Sequence, residues 1–464
     1  MTDITGLTRL DDRSVVAALR TQHGPGLLGV PAGGLRLSWR VTSGRPGAAQ
    51  VGYQIASGRG DGELEPRDAV ASADSVAVPV GDLAPGERRG FAVRVATDVG
   101  WTAWSEPLVV EAAPELGGLS AVVIGIPTEI EGPVQLLRTT FAVDELPRRA
   151  RLRLSALGLV DAWINGQKAT DAVLTPGWTA YQERVLLDTL DVTGLLREGE
   201  NSIVLAVGDG WYRGRFGFAN RTEIYGNRSG ALAQVDSEQG VHVATDATWR
   251  GGFGAVRSAS LYDGTTTDLR EAADGVHRVD FDDRGWLLAD VVATDLSRFE
   301  PRATPPIRVV AELPMVNRSL SRAAARSAAP VSKGTYLDAG QNVSGWVRLV
   351  VRGKAGDVVT VRHAEILEPS GDLHTAALRS AKATDVYILG GDGEHTLEPR
   401  FTFHGFQHAE VTGAEVVSAT AVAISSDLAE RSTLETSSEA LNRFHSNVRW
   451  SQRDNFVSVP TDCP

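Results

Sequence analysis

Metal ligation is the first chemistry that the side chains of this sequence suggest. His363 and Glu365 alternate along the strand-like segment 358–366, so their side chains lie on one face. An imidazole and a carboxylate on one face bind a metal ion when a third donor converges on them. The available third donors are His374, His404 and His408. Because histidines in such positions more often make structural hydrogen bonds, we predict no metal site.

Stacking against sugar rings is the second chemistry that the sequence suggests. Trp178 and Tyr181 lie in the loop sequence PGWTAY, and Trp211 and Tyr212 lie in GDGWYRG. Glycine and proline mark both segments as loops, where aromatic faces are available to a carbohydrate. Core packing is the competing interpretation of these four side chains, and it is the one we favour.

The remaining short motifs do not point to chemistry on their own. Asp462 precedes Cys-Pro, and an isolated aspartate in that position is typical of a turn. The glycine-rich segments 208–210 and 390–393 lack the spacing and the strand–helix context of a nucleotide site. We therefore interpret both as turns.

Composition limits the classes of partner. The 464 residues are enough for about three domains of roughly 150 residues each. The net charge of -12 and the pI near 5.3 argue against nucleic acid or an anionic membrane surface as the main partner. An acidic surface is compatible with a neutral ligand.

The sequence contains no targeting signal that we recognise. Met1–Gly6 does not lead into a basic segment followed by an apolar core, and no run of 18 apolar residues occurs. Cys463 is the single cysteine, which excludes an internal disulfide framework and a cysteine-based zinc cage. A cytoplasmic location is the simplest prediction.

Strand and turn patterns fill most of the chain, so we predict a mainly β protein built from tandem β-sandwiches. Residues 1–115 show short apolar or alternating runs separated by Gly, Pro and Asp, which is typical of a fibronectin III or immunoglobulin-like sandwich. Trp101 and Trp104 near its end are interpreted as packing residues. Residues 116–300 predict a jelly roll, in which Asn165–Gly166 forms a hairpin turn.

A second β-sandwich is predicted for residues 305–430, after the Pro-rich link 301–306. Segment 319–332, rich in Ala, Ser and Arg, is expected to be a mobile loop. Segment 399–406 (PRFTFHGF) predicts a packed aromatic strand, and Trp346 is interpreted as a core residue.

The pattern changes to helical at about residue 430. Residues 436–455 predict a helix with a capping box at Thr436 and Glu439. Its apolar stripe, Leu441, Phe444 and Val448, needs a packing partner that no later segment supplies. We therefore predict that 431–464 begins a further domain that is mostly absent, and that 436–464 alone is partly disordered or self-associating.

Four stretches of the chain, taken in order, resemble the bacterial α-L-rhamnosidases. They are WINGQK (163–168) with LTPGWTAYQER (174–184), GENSI (199–203) and VGDGWY (207–212); LDAGQNVSGWV (337–347) with RHAEIL (362–367); ATDVYIL (383–389) with PRFTFHGF (399–406); and SVPTDCP (458–464). The resemblance covers residues 1–464, most loosely in the first domain. It implies that the last segment opens an (α/α) barrel of paired helices.

The resemblance also implies an activity and a site. The family hydrolyses terminal non-reducing α-L-rhamnose, from plant glycosides or rhamnose-containing oligosaccharides, with inversion. Asp462 matches a position that binds sugar hydroxyls in the rhamnose pocket, whereas the catalytic glutamates lie beyond Pro464. We therefore expect no catalytic residue within the chain, and no activity from it alone. The resemblance implies no metal at His363, but it leaves open a calcium ion in the jelly-roll domain.

Two other classes of function remain as alternatives. One is a non-catalytic carbohydrate-binding protein of three β modules, which needs no barrel. The other is a purely structural multi-domain scaffold, which would bind no sugar.

Overall fold

The computed structural model describes residues 4, 7, 10–24, 27–127, 132–215, 217, 219–318 and 334–461. Two features predicted from the sequence, the loop at 319–332 and Asp462, lie outside the described residues. The chain divides into two compact units, one formed by residues 1–119, 187–189 and 299–305, and the other by residues 120–186, 190–298 and 306–464.

The first unit contains a β-sandwich, as the sequence predicts. Its strands between residues 14 and 112 are β1 Ser14–Thr21, β2 Leu27–Val30, β3 Leu35–Ser43, β4 Gln50–Arg59, β5 Glu65–Pro66, β6 Val78–Gly81, β7 Arg88–Thr97 and β8 Leu108–Ala112. One sheet has the order β1-β3-β6 and the other has the order β2-β8-β7-β4-β5. Phe91, Val93 and Val95 are fully buried between them. The Arg94 guanidinium lies 4.8 Å from the Trp101 ring and 4.9 Å from the Trp104 ring.

A second two-sheet arrangement follows in the chain, in agreement with the predicted jelly roll. The strands between residues 124 and 301 are β9 Ile124–Gly125, β10 Gln135–Val143, β11 Ala150–Leu157, β12 Leu159–Ile164, β13 Gln167–Lys168, β14 Val185–Asp191, β15 Gly199–Gly208, β16 Gly230–Ser237, β17 Gly240–Ala244, β18 Arg250–Phe253, β19 Val256–Ser260, β20 Gly264–Asp268, β21 Leu287–Leu288, β22 Asp290–Val291 and β23 Phe299–Pro301. One sheet has the order β13-β12-β15-β10-β18-β21, and the other includes β22-β9-β16-β11-β14 with β17 beside β16. Asn165 and Gly166 have φ values of 52° and 83°, which confirms the predicted hairpin turn.

Eight further strands form one large sheet together with β19 and β20. They are β24 Ile307–Pro314, β25 Val316–Asn317, β26 Thr335–Gly353, β27 Val358–Ala364, β28 Thr384–Ile388, β29 Gly393–Leu397, β30 His404–Thr412 and β31 Glu415–Ser426. The sheet order is β19-β20-β28-β27-β30-β26-β31-β24, with β25 and β29 paired to β26. Its first two strands precede the Pro-rich link, and β20 pairs in parallel with β28. This sheet therefore takes strands from the segment that the sequence assigns to the jelly roll.

The predicted aromatic strand is shorter than expected. Strand β30 begins at His404, and Phe401 has a φ of +58°, which interrupts an extended conformation before it. Phe401, Phe403 and Phe406 are nevertheless buried, so the packing role predicted for this segment agrees with the structure.

Two α-helices occur among the described residues, α1 Gly210–Arg213 and α2 Glu439–Asp454. The capping residue of α2 is Ser438 rather than Thr436, and its side chain accepts from the Leu441 amide. Thr436 instead bonds through its backbone and hydroxyl to the Asn442 side chain. Neither helix has the length and apolar character that crossing a bilayer requires. Short 3₁₀ turns lie at Leu116–Gly118, Thr193–Leu195, Leu269–Glu271, Leu296–Arg298 and Ala376–Leu378.

Candidate functional site

A two-stranded hairpin connects α2 to the segment that contains Asp462. Its strands are β32 Phe456–Val457 and β33 Val459–Pro460, and Val457 is fully buried. The Thr461 amide donates to the Asn455 carbonyl at 2.7 Å, which ties the end of the hairpin to the end of the helix. The residue before Asp462 is therefore held by a defined hydrogen bond.

The large sheet holds this hairpin through serine side chains. Ser425 Oγ donates to the Arg453 carbonyl at 2.9 Å and lies 3.3 Å from the Phe456 carbonyl. The Ser458 amide donates to Ser426 Oγ at 3.1 Å. These adjacent serines at the end of β31 thus satisfy backbone groups at the end of the helix and in the turn of the hairpin.

The last turn of α2 is also tied to β26. Ser344 Oγ donates to the Asp454 carbonyl at 2.7 Å, and the Ser344 amide donates to Asp454 Oδ1 at 3.2 Å. Burial raises the pKa of the Asp454 carboxyl to about 6, and the charge of Glu365 acts in the same direction. A carboxyl that titrates near neutral pH therefore lies at the junction between helix and sheet.

A jelly-roll loop contacts the hairpin from another side. The Trp178 amide donates to Ser458 Oγ at 2.9 Å, across 280 positions of sequence. Gly177 has a φ of +87°, and a Cβ added there would lie 2.5 Å from Ser458 Oγ. Glycine is thus needed both for the backbone conformation and for the close approach.

Three of the four predicted stacking residues belong to one aromatic cluster beside this contact. The Tyr181 ring lies 5.2 Å from Tyr212 and 5.0 Å from Tyr225, measured between centroids. The Trp178 indole N–H donates to the Tyr225 hydroxyl at 3.2 Å. Sequence reasoning missed Tyr225, since it lies in a separate loop whose approach no local pattern indicates.

Burial differs within the predicted set. Tyr181 is buried and its hydroxyl donates to the Gly177 carbonyl at 2.9 Å, so burial raises its pKa. Trp211 is buried as well, whereas Trp178 and Tyr212 are half-buried. Partial exposure leaves Trp178 and Tyr212 as the members of the set with surface available to a ligand. Their role in sugar stacking stays a prediction.

A cavity of about 730 Å³ lies elsewhere in the second unit. Its lining includes Asp161, Trp163, Lys168 and Arg400. The Arg400 guanidinium lies 4.9 Å from the Trp163 ring, and Lys168 Nζ is 3.0 Å from Asp161 Oδ1. Charged and aromatic groups therefore share one concave surface, although Trp163 itself is largely covered.

The histidines named as candidate metal ligands separate into different environments. Glu365 accepts from the Asn342 side chain at 2.8 Å, and His374 Nδ1 lies 2.5 Å from Glu368. His408 Nδ1 lies 3.8 Å from Asp338 Oδ1. His363 and His404, in contrast, lie together with Asp385, a residue that the sequence analysis does not select. Burial lowers the pKa of His363 to about 3.

Four family models match consecutive parts of the chain. They are the Rha78A-like N-terminal immunoglobulin domain at residues 16–114, the α-L-rhamnosidase N-terminal domain at 145–311, the bacterial α-L-rhamnosidase concanavalin-like domain at 330–428 and the bacterial α-L-rhamnosidase six-hairpin glycosidase domain at 429–464. The chain belongs to the bacterial α-L-rhamnosidase family. Its β-sandwiches and its terminal helix follow the order in which these family domains match.

Individual α-L-rhamnosidases agree with this membership. A Streptomyces avermitilis α-L-rhamnosidase is 41% identical over 326 residues, which are 68% of this chain and 31% of that protein. The crystal structure of Aspergillus terreus α-L-rhamnosidase matches with a TM-score of 0.88 and 33% identity, covering 97% of this chain and 53% of that one. A crystal structure of a Streptomyces avermitilis α-L-rhamnosidase complexed with L-rhamnose matches with a TM-score of 0.86 and 27% identity, covering 97% of this chain and 61% of that one. The chain thus spans about a third to three-fifths of these α-L-rhamnosidases.

Proposed function

We propose that this chain supplies the front part of an inverting α-L-rhamnosidase that removes terminal non-reducing rhamnose from glycosides or oligosaccharides. The observation that supports this most strongly is the run of four rhamnosidase-family matches, in order, along residues 16–464. Because the chain covers only part of the related proteins, the activity is assigned to a longer protein. The chain of 464 residues alone is expected to be inactive.

The proposed chemistry divides the work between this chain and the further residues of the longer protein that we propose. Inversion requires a carboxylic acid that protonates the leaving oxygen and a carboxylate that activates water, roughly 6.5–9.5 Å apart. We assign both to residues beyond Pro464. Within the chain, Asp462 binds rhamnose hydroxyls through charge-assisted hydrogen bonds, which fix the ring relative to those groups.

The hairpin contacts favour a positioning role for the β domains. Ser458, four residues before Asp462, bonds both to Ser426 of the large sheet and to Trp178 of the jelly roll. A segment fixed from two sides loses less conformational entropy when its next residues bind a ligand. Trp178 and Tyr212, the half-exposed members of the aromatic cluster, are the side chains that we propose for sugar stacking.

Hydrolysis of p-nitrophenyl α-L-rhamnoside tests the activity. The 464-residue chain is compared with a protein extended through the downstream reading frame, and we expect hydrolysis only from the extended protein. In that protein, Asp462→Asn should lower kcat/KM on the order of 10²–10⁴-fold, because two charge-assisted hydrogen bonds contribute about 1.5–3 kcal/mol each. The exposed Asp274→Asn is the matched control and should leave kcat/KM unchanged.

The outcomes separate the parts of the proposal. Hydrolysis by the short chain would show that the catalytic carboxylates lie within these residues. An active extended protein that tolerates Asp462→Asn would contradict the site assignment alone. No hydrolysis by either protein, together with measurable affinity for rhamnose, would favour a non-catalytic carbohydrate-binding protein, for which the cavity at Asp161, Trp163 and Arg400 is the candidate site.

The cytoplasmic location remains a prediction that cell fractionation would test.

A further inference from the structure

Three ionisable side chains meet inside the large sheet, on neighbouring strands. His363 lies on β27, Asp385 on β28 and His404 at the start of β30, and the sheet order places β27 between the other two. Their exposures are 1%, 1% and 3%. Each offers one potential ligand atom, and these atoms all lie within 4.8 Å of one another.

Hydrogen bonds on the outer side of the cluster fix the orientation of its groups. His363 Nδ1 lies 2.9 Å from the Ala383 carbonyl, which assigns the proton to Nδ1 and leaves a lone pair on Nε2. Asp385 Oδ1 accepts from the Thr265 amide at 2.8 Å and from the Thr265 hydroxyl at 3.1 Å. The other carboxylate oxygen, Oδ2, is left to face the two histidines.

The inner side of the cluster is incompletely satisfied. Asp385 Oδ2 is hydrogen-bonded to His404 Nε2 at 3.1 Å and lies 4.0 Å from His363 Nε2. His363 Nε2 is buried and has no hydrogen-bond partner among the described residues. A lone pair that faces a carboxylate oxygen without a proton between them is unfavourable in a buried site. A cation between these atoms would bind the free lone pair of His363 Nε2 and would take the place of the proton between His404 Nε2 and Asp385 Oδ2.

We propose that His363, Asp385 and His404 bind one divalent transition-metal ion, of which Zn²⁺ is the best match. Zinc binds histidine nitrogen and aspartate oxygen at about 2.0–2.2 Å, so tetrahedral ligands lie roughly 3.3 Å apart. The two distances to Asp385 Oδ2, 3.1 Å and 4.0 Å, lie on either side of that separation, and the full set of ligand atoms, which spans up to 4.8 Å, would draw closer together around the ion. Two nitrogen donors disfavour Ca²⁺ and Mg²⁺, which take oxygen ligands.

The outer hydrogen bonds are those that metal ligands usually make. A metal-binding histidine donates its second ring N–H to a carbonyl or a carboxylate, and a metal-binding carboxylate is itself hydrogen-bonded. The Ala383 carbonyl and Thr265 supply these contacts here. Tyr387 lies two residues after Asp385 on the same face of β28 and is buried, and its hydroxyl is the candidate fourth ligand. The ion would cross-link strands β27, β28 and β30, and it has no part in the proposed hydrolysis.

Metal analysis of the purified 464-residue chain is the direct test. We expect about one zinc per chain by plasma mass spectrometry. Chelation should lower Tm, and one equivalent of ZnCl₂ should restore it. Co²⁺ added to the stripped chain should give the visible absorption of a four-coordinate site. Asp385→Asn should weaken zinc binding by at least about 10-fold, and Thr265→Val by about 10-fold, through loss of an outer hydrogen bond.

The control is His395→Asn, since His395 Nε2 bonds the Gly391 carbonyl outside the cluster and its loss should not change zinc affinity. A folded wild-type chain that binds neither Zn²⁺ nor Co²⁺ after chelation would overturn the proposal. The proposal would also fail if Asp385→Asn lowered Tm by the same amount in the presence of chelator and in the presence of zinc. The cluster would then be a hydrogen-bond network, with or without a buried water.

Discussion

Gly177 must be glycine for two reasons, its backbone conformation and its contact with a residue distant in sequence. Its φ of +87° lies in the left-handed region, and the space where a Cβ would project is taken by Ser458 Oγ. The Trp178 amide that donates to the same oxygen is the next residue along the chain. A single methyl group at this position would therefore separate the jelly-roll loop from the hairpin that precedes Asp462.

We predict that Gly177→Ala destabilises the chain by about 1–3 kcal/mol more than Gly166→Ala. Gly166 has a similar φ of +83°, but its added Cβ would lie 3.6 Å from His277, an ordinary contact. Both variants carry the same backbone strain, so their difference in free energy of unfolding, measured by urea denaturation, reports the steric overlap. Equal destabilisation would mean that the loop does not approach Ser458 in solution.

Individual residues also show where sequence-based prediction ends. Strand alternation was sufficient to select His363, and histidine is rare enough to make His404 a candidate partner. Asp385 could not be found in this way, because its position opposite both histidines depends on which strands pair and in what register. The contact between Trp178 and Ser458 spans 280 positions and has no local signal at all.

The helix α2 has two different faces. At its last turn, Asp454 is buried and Trp450 packs against the core of the large sheet. Leu441, Phe444 and Val448, which the sequence identifies as an apolar stripe, are 55%, 65% and 48% exposed. The periodic pattern thus predicts the stripe but not the docking of the opposite side, which relies on Ser344 and on Trp450.

The start of α2 could not be predicted correctly from local sequence. Thr436 and Glu439 have the spacing of a capping box, yet Ser438 caps the helix. The physical reason is Asn442, whose side chain accepts from the Thr436 amide and donates to its carbonyl, both at 2.8 Å. These bonds hold Thr436 in the preceding loop, a competition between side chain and helix that a spacing rule does not weigh.

We predict that stability falls as pH rises through the titration of Asp454. Its pKa is about 6 in the folded chain and near 3.8 when unperturbed, so between these values the folded state binds more protons than the unfolded state. The stabilisation is complete below about pH 4 and is lost by about pH 7. Asp454→Asn should remove this dependence and be more stable than wild type at pH 8, with the difference shrinking towards pH 4.

Chemical denaturation at a series of pH values checks this prediction. Glu435→Gln, at an exposed position before the helix, controls for the loss of one negative charge. A wild-type chain whose free energy of unfolding does not fall between pH 4 and 7 relative to Asp454→Asn would show that the carboxyl is ionised at no cost.

At the scale of the whole molecule, substitutions in the exposed apolar stripe of α2 should have different effects on stability in this chain and in a longer protein. In the 464-residue chain, Leu441→Ala and Phe444→Ala should each change the free energy of unfolding by less than about 0.5 kcal/mol, since both side chains are exposed. If a barrel covers the stripe in an extended protein, the same substitutions should cost about 2–5 kcal/mol.

Thermal or urea unfolding of both proteins measures the contrast. Val457→Ala is the control, because Val457 is fully buried here and should cost on the order of 2 kcal/mol in either protein. Small effects of Leu441→Ala and Phe444→Ala in the extended protein would indicate that no further domain packs on this face.

The succession of β-sandwiches was more predictable than the assignment of individual strands to sheets. Alternating apolar residues and turn signals are local properties, so they suffice to predict successive β-sandwiches and the Asn165–Gly166 hairpin. The composition of the Pro-rich link at 301–306 is also a local property. Strand β20 precedes this link, yet it pairs with β28, which follows the link, and β19 pairs with β20. Sheet membership depends on pairing between distant segments, and a linker composition does not report it.

This shared sheet has a consequence for how such genes can recombine. A crossover at the Pro-rich link would deliver a downstream module without β19 and β20, and β28 would then be an unpaired edge along the line where Thr266 to Asp268 lie against Val386 to Ile388. The upstream module would carry two strands with no sheet to join. The segments before and after the Pro-rich link should therefore be inherited together. We expect recombination to add a foreign β domain before residue 120 more readily than to exchange one at residue 305.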